Sequence, residues 1–271
     1  GPAPKAVIIL AHGFGGGGQR TYMDVIDYLS SQGFCVFSYD ATGNDESEGE
    51  GIGGFPQQVI DLKYAIELIE KTSPYNKLPL CLFGHSMGGY AVCNILNYHP
   101  EIKAVVSCSG FNKSSAIVKY QAENFAPGEG DKALPHIEEY EQMLFGNYSK
   151  TTALDGFKNS QAKVMIIHSE DDPTIPIGSG FDLYYNQYKN NPRFEFIRLK
   201  NSGHGTVYYS QEGITYFNNY LKGYKELSKQ KEVSQEELDS YHINHLNRDR
   251  WTSLIDIELF DKIVTFYNKS I

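Results

Sequence analysis

Six short runs of this sequence are apolar almost throughout: "AVIILAH" (6–12), "FCVFSYDA" (34–41), "LPLCLFG" (78–84), "IKAVVSCSG" (102–110), "AKVMIIHSE" (162–170) and "RFEFIRLKN" (193–201). They lack the regular polar alternation of a strand with one wet face. Short apolar runs of this kind read as strands buried on both faces, as in a parallel sheet covered by helices on each side. Between them lie stretches with helical spacing: 21–33, ending at Gly33; 56–72, with Pro56 in its first turn; 87–98; and the amphipathic 256–269. Alternating strands and helices predict an α/β fold with one mostly parallel sheet.

The third run leads into "GHSMGG" (84–89), where Ser86 stands between Gly84 and Gly88 and a helix-like run follows. A serine at a strand-to-helix turn with flanking glycines has the pattern of a nucleophile elbow. The glycines have a steric job, because side chains at 84 and 88 would collide with neighbouring backbone. The turn lifts the Ser86 hydroxyl off the sheet. It also puts the Met87 N–H at the start of the next helix, where it can stabilise an oxyanion. The competing reading is a polar residue in a tight turn. The buried strand before and the helix after favour the nucleophile.

A serine hydroxyl needs a base to become a good nucleophile. The elbow arrangement calls for a histidine on a loop after the last strand and an acid after the strand before it. Asp171 and Asp172 follow the fifth run in "DDPTIP" (171–176), and His204 follows the sixth in "SGHGTVYY" (202–209). Chain order alone leaves the two aspartates in competition.

This ordered set resembles the α/β-hydrolase fold serine hydrolases, of the esterase and lipase type. The matching stretches are "HGFGG" (12–16), "GHSMGG" (84–89), "DDPTIP" (171–176) and "GHG" (203–205). The resemblance covers nearly all of the chain apart from 111–160 and 226–252. It implies Ser86 as nucleophile and His204 as base. The family pattern Asp-x-x-(Val/Ile)-Pro fits Asp172, with Ile175 and Pro176, which implies that Asp172 orients His204. Asp171 then becomes a turn residue or helix cap. By position, the Phe14 N–H joins the Met87 N–H in the oxyanion hole. His12 is expected as a buried brace of that loop, His85 as a packing residue, and the loop 39–51 as turn chemistry.

The full fold has two strands before the one leading into His-Gly, and these first strands are expected to be missing here. Either the sheet is minimal or the chain is a piece of a longer protein, and the abrupt start favours the second, with the two strands in the upstream piece; the opening Gly-Pro has the form of a tag-removal scar. No compartment is assigned. The core is expected in two parts, 1–110 and 161–271, separated by a helical cap or lid insertion at 111–160. In that cap, Phe111, Ile117, Val118, Tyr120, Phe125, Tyr140, Met143, Leu144, Phe145 and Tyr148 are expected to pack on the core or line an acyl pocket. Glu123, Glu129, Asp131, Glu138, Glu139 and Glu141 are expected to face water. The charged stretch 226–252 reads as a second, irregular insertion.

A net charge of −9 disfavours nucleic acid as a partner. No apolar run reaches the roughly 18 residues of a membrane span. The four cysteines form no CxxC pair and sit in apolar runs, which predicts buried free thiols, with no metal site. The glycine run "GFGGGG" (13–18) lacks the Gly-Lys-Ser/Thr ending of a phosphate loop. Asp40 ends the second run without a conventional dinucleotide context.

The reading is a serine hydrolase that cleaves a small-molecule carboxylic ester through an acyl-enzyme, with no cofactor. The rivals are a peptidase of the same fold, a thioesterase or acyltransferase, and a silent binding protein on a hydrolase scaffold.

Overall fold

The computed structural model describes residues 3–271. The elements run β1 (Val7–Ala11), α1 (Gly18–Ser31), β2 (Cys35–Ser38), α2 (Pro56–Lys71), β3 (Leu80–His85), α3 (Met87–Asn94), β4 (Ala104–Cys108), α4 (Ser114–Phe125), α5 (Gly130–Phe145), α6 (Ala153–Asn159), β5 (Lys163–Ser169), α7 (Phe181–Tyr188), β6 (Phe194–Leu199), α8 (Gln211–Ser228), α9 (Gln235–His245), α10 (Arg248–Thr252) and α11 (Ile257–Asn268). The strands form one six-stranded sheet in the order β2-β1-β3-β4-β5-β6, and every neighbouring pair is parallel. All six predicted strands are present.

Continuous apolar strands are what two covered faces require. Successive residues of a strand point to opposite faces, and here they sort into two cores. Val7, Ile9, Leu82, Val105, Val164 and Ile166 pack under α2, α3 and α7. Ile8, Leu10, Phe83, Val106, Met165 and Ile167 pack against α1 and α11 on the other side. Helix α11 supplies Phe260, Ile263 and Tyr267 to that second core, and its Tyr267 hydroxyl donates to the Leu82 carbonyl at 2.7 Å. No helix among the described residues is long and apolar enough to cross a membrane.

Three expectations need correction. The second and sixth runs lie at the sheet's two edges, so neither shares the double burial of the central strands: β2 is half-buried throughout, and Glu195 and Arg198 of β6 are exposed. The stretch 226–252 is mostly helical: it holds the end of α8, then α9 and α10. Helix α9 starts with a capping box, in which Ser234 and Glu237 satisfy each other's backbone N–H groups. Within the insertion, Glu141 is buried, while Phe125, Tyr140, Met143 and Leu144 are exposed.

Candidate active site

The elbow forms because the chain must reverse from β3 into α3 without room for side chains. A Cβ at Gly84 would lie 2.3 Å from the Gly88 carbonyl oxygen, and one at Gly88 only 1.9 Å from that of Ala11. Only glycine fits these two approaches. Ser86 itself takes φ 56° and ψ −117°, a left-handed conformation that side chains resist. Its N–H is held by the Cys108 carbonyl at 2.8 Å, and its own carbonyl accepts the Tyr90 N–H at 3.0 Å as the helix begins.

His204 arrives on the loop after β6. Its Nε2 lies 2.8 Å from Ser86 Oγ, and its Nδ1–H donates to Asp172 Oδ2 at 2.7 Å. A carboxylate only accepts, so Nδ1 carries the proton and Nε2 is free to accept from the serine. The Asp172 side chain is fully buried, and the His204 ring is 16% exposed. Asp172 Oδ1 accepts the N–H groups of Thr174 and Ile175, both at 2.9 Å. Burial alone would raise the Asp172 carboxyl. Donation by His168 and His204 outweighs that and holds it below the ordinary carboxylate range.

Asp171 is neither a simple turn residue nor a helix cap. Its Oδ1 accepts the Ser202 and Gly203 N–H groups, each at 3.1 Å, and the Ser169 hydroxyl. It therefore anchors the loop that carries His204. Against the opposing effect of burial, these donors hold its carboxyl below its usual range. The two aspartates thus divide the work between the ring of His204 and the backbone leading to it.

Sequence reasoning missed His168. This histidine stands on β5, fully buried. Its Nε2 faces two acceptors, the Ile175 carbonyl at 3.0 Å and Asp172 Oδ2 at 3.2 Å. Nε2 therefore holds the proton, and Nδ1 has no partner among the described residues. The one available signal was a histidine inside a doubly buried apolar run, where a polar ring needs a purpose.

On the other side of Ser86, the loop after β1 carries Phe14, whose ring is exposed. His12 is fully buried below it. Its Nδ1–H donates to the Gly13 carbonyl at 2.7 Å, and its Nε2 accepts the Ala41 N–H at 2.8 Å. Burial lowers its pKa, with partial compensation from the Gly13 bond. The glycine run is no open phosphate cradle. The Gly15, Gly17 and Gly18 N–H groups are committed to Asn44, Thr21 and Asp40, and that of Gly16 to the Gly13 carbonyl. Among the described residues, the Phe14 and Met87 N–H groups donate to no other group of the chain.

Helices α4 and α5 lie against loops at the C-terminal ends of the strands. The Gln121 side-chain amide donates to the Thr174 carbonyl at 3.0 Å. Phe145 lies against Gly53 and Gly54, where added Cβ atoms would come within 3.4 Å of its ring. Glu141 accepts the Ser114 hydroxyl, while its Oε2 has no partner among the described residues. Burial raises its carboxyl, and the Ser114 bond and Lys113 offset this only in part. The cysteines are free, as expected from the sequence, with Cys81, Cys93 and Cys108 buried and Cys35 half-buried. Glu70, His99 and Glu101 bring possible metal donors within 4.8 Å of one another. Glu70 lies in the last turn of α2, and His99 and Glu101 precede the start of β4, whereas Ser86 follows the end of β3, so they take no part in the site.

Comparison with known proteins bears on the family and the fold. Residues 2–139 match the profile of the family described as "Serine aminopeptidase, S33". The chain is 26% identical over 222 residues to the uncharacterized protein YfhR of Escherichia coli, covering 78% of this chain and 70% of that one. Over 88 residues it is 36% identical to the monoglyceride lipase of Rattus norvegicus, covering 32% of this chain and 28% of the lipase. Among solved structures, Est1E from Butyrivibrio proteoclasticus with bound ferulic acid superposes with a TM-score of 0.60 at 16% identity, covering 83% of this chain and 89% of that chain. The likeness to Est1E bears on the fold alone.

Proposed function

The chain belongs to the serine aminopeptidase S33 family, with an α/β-hydrolase fold, and from that premise we propose that it cleaves a carboxylic ester through an acyl-enzyme on Ser86. The observation that carries this reading is the continuous relay from Ser86 Oγ through both ring nitrogens of His204 to Asp172, at 2.8 and 2.7 Å. The monoglyceride lipase of Rattus norvegicus gives it further support.

In the proposed reaction, Ser86 Oγ bonds to the ester carbonyl carbon as its proton passes to His204 Nε2. Asp172 holds the ring in the tautomer that accepts this proton and stabilises the imidazolium. The carbonyl electron pair moves onto oxygen, and the Phe14 and Met87 N–H groups receive that oxyanion. The C–O bond to the leaving alcohol then breaks, and the imidazolium returns the proton to the alcohol. Water repeats the sequence on the acyl-enzyme and releases the acid. We assign α4 and α5 as a cap over this site, because they are tied to loops following both β2 and β5. A strap between those loops crosses the strand ends that include the elbow.

Labelling with a fluorophosphonate tests the nucleophile, and the adduct should map to Ser86. Turnover of p-nitrophenyl esters against aminoacyl anilides then tests the bond cleaved. Efficient anilide cleavage with poor ester turnover would replace the esterase reading with the peptidase one. An unlabelled folded protein would overturn both.

A further inference from the structure

Tyr22 and His85 stand outside the proton relay, yet they join the loop carrying Phe14 to the loop carrying His204. The Gly13 N–H donates to Tyr22 Oη at 2.9 Å. Tyr22 Oη lies 2.8 Å from His85 Nδ1, and His85 Nε2 lies 3.0 Å from the His204 backbone carbonyl. The proton positions follow from chemistry. A carbonyl only accepts, so His85 Nε2 carries the ring proton and Nδ1 is the acceptor. The Tyr22 hydroxyl therefore donates to Nδ1, while its oxygen accepts from Gly13. Burial, then repulsion from His204, lowers His85 to about 3, so the ring is neutral and this pattern persists at ordinary pH.

The surroundings leave this chain little freedom. Tyr22 and His85 are 2% and 6% exposed. Tyr22 departs from helical geometry inside α1, with φ −120° and ψ 23°. A Cβ on Gly13 would sit 3.1 Å from Tyr22 Oη, 3.3 Å from His85 Nδ1 and 3.4 Å from Ser86 Cβ. Tyr208 closes the other side, edge-on to His85 at 5.5 Å and tilted against Tyr22 at 6.1 Å. Gly13 directly precedes Phe14, and His85 directly precedes Ser86. One hydroxyl and one ring thus tie together the oxyanion loop, the elbow and the base loop.

We propose that Tyr22 and His85 are positioning residues that fix the Phe14 N–H relative to the His204 ring, and so serve the tetrahedral intermediate more than the bound ester. This rests on the proposed roles of Ser86, His204 and Phe14. An oxyanion donor works only at hydrogen-bond distance from the oxygen that develops charge. A loop released by even one ångström loses that contact without altering how the neutral ester binds.

The test is Tyr22→Phe, which removes one hydroxyl and keeps the ring. We expect kcat to fall about 10- to 100-fold while KM stays within about twofold. Affinity for a boronic acid, which forms a tetrahedral adduct on the serine, should weaken by the same factor as kcat. His85→Gln, which keeps a donor and an acceptor, should lose less than His85→Ala. This pair provides the readout if Tyr22→Phe fails to fold by circular dichroism. A folded Tyr22→Phe with kcat and boronate affinity near wild type overturns the proposal, as does a rise in KM at constant kcat. For the second pair, equal losses in His85→Gln and His85→Ala overturn it. Ser86→Ala in the same assay separates the two levels of argument. Retained activity there removes the proposed nucleophile, whereas a dead Ser86→Ala beside an unaffected Tyr22→Phe removes only the positioning role.

Discussion

His168 Nε2 lies 3.2 Å from Asp172 Oδ2, the same oxygen that accepts the His204 Nδ1–H at 2.7 Å. The proposed catalytic acid is thus held between two histidines, one reaching outward to Ser86 and one rooted in the sheet. Both rings are positioned to donate, which leaves Asp172 Oδ2 with little freedom to turn away from His204.

Removing His168 should therefore loosen Asp172 without touching the reacting atoms. We expect His168→Ala to lower kcat by roughly 10-fold, since side chains that orient an acid act through geometry. His168→Gln retains a donor and should recover part of the loss. Steady-state kinetics on one ester checks this, and equal activity in His168→Ala and wild type would leave the second histidine a packing residue.

The two aspartates should separate sharply. Asp172→Asn replaces the carboxylate that fixes the His204 tautomer and should cost about 10⁴-fold in kcat. Asp171→Asn keeps a carbonyl oxygen for the Ser202 and Gly203 N–H groups and should cost no more than about 10-fold. Comparable losses at both positions would undo the division of labour between ring and loop.

Both carboxyls are depressed in the folded state, and the sign of their effect on stability follows. Their contribution is fully present above the ordinary carboxylate value near 3.9 and is lost as pH falls below it toward the folded values. Asp171→Ala should therefore reduce Tm more at pH 7 than at pH 3. A thermal shift series at constant ionic strength measures the difference, and a pH-independent penalty would contradict the linkage.

Much of the architecture was readable because burial on both faces leaves a mark in local composition. The run Val7 to Ala11 is apolar at every position since both cores claim it. The elbow was readable for a steric reason, Gly84 and Gly88 having no alternative. What escaped detection depends on contacts between distant residues. Nothing near Tyr22 announces that its hydroxyl meets Gly13 and His85. Asp171 looks like a turn residue until Ser202 and Gly203, some 30 residues on, fold back onto it. Glu141 carries no local sign of burial, because a carboxylate in an amphipathic helix normally faces water. Helix α7 is short and aromatic, a composition that suits a strand equally well.

Glu141 should act in the opposite sense to the two aspartates. Its folded carboxyl is raised by burial, so ionising it works against the fold. The native state loses stability as pH rises from the ordinary glutamate value through the higher folded one. Glu141→Gln removes that charge while its carbonyl can still accept the Ser114 hydroxyl. The substitution should raise Tm at pH 8 and change it less at pH 5. An unchanged or lower Tm at pH 8 would show that the carboxylate is compensated where it sits.

The tie between Gln121 and Thr174 offers a way to test the cap without deleting it. Asp172 Oδ1 accepts the Thr174 N–H, and the Gln121 amide donates to the carbonyl of that same residue. Helix α4 is therefore fastened to the turn that holds the proposed acid. Gln121→Ala cuts the tie but leaves Ile117 buried beneath the same helix. If α4 and α5 form the wall that limits the acyl group, releasing α4 should favour bulky substrates. The kcat/KM ratio of long to short acyl esters should then rise several-fold, roughly the factor that burying one further CH2 group contributes. Amide hydrogen exchange over 114–125 should quicken in the same variant, since an outer element that loses a tether opens more often. Faster exchange with an unchanged acyl-length ratio would place these helices beside the substrate path and not across it. That outcome would reduce the insertion to a stabilising flank of the sheet.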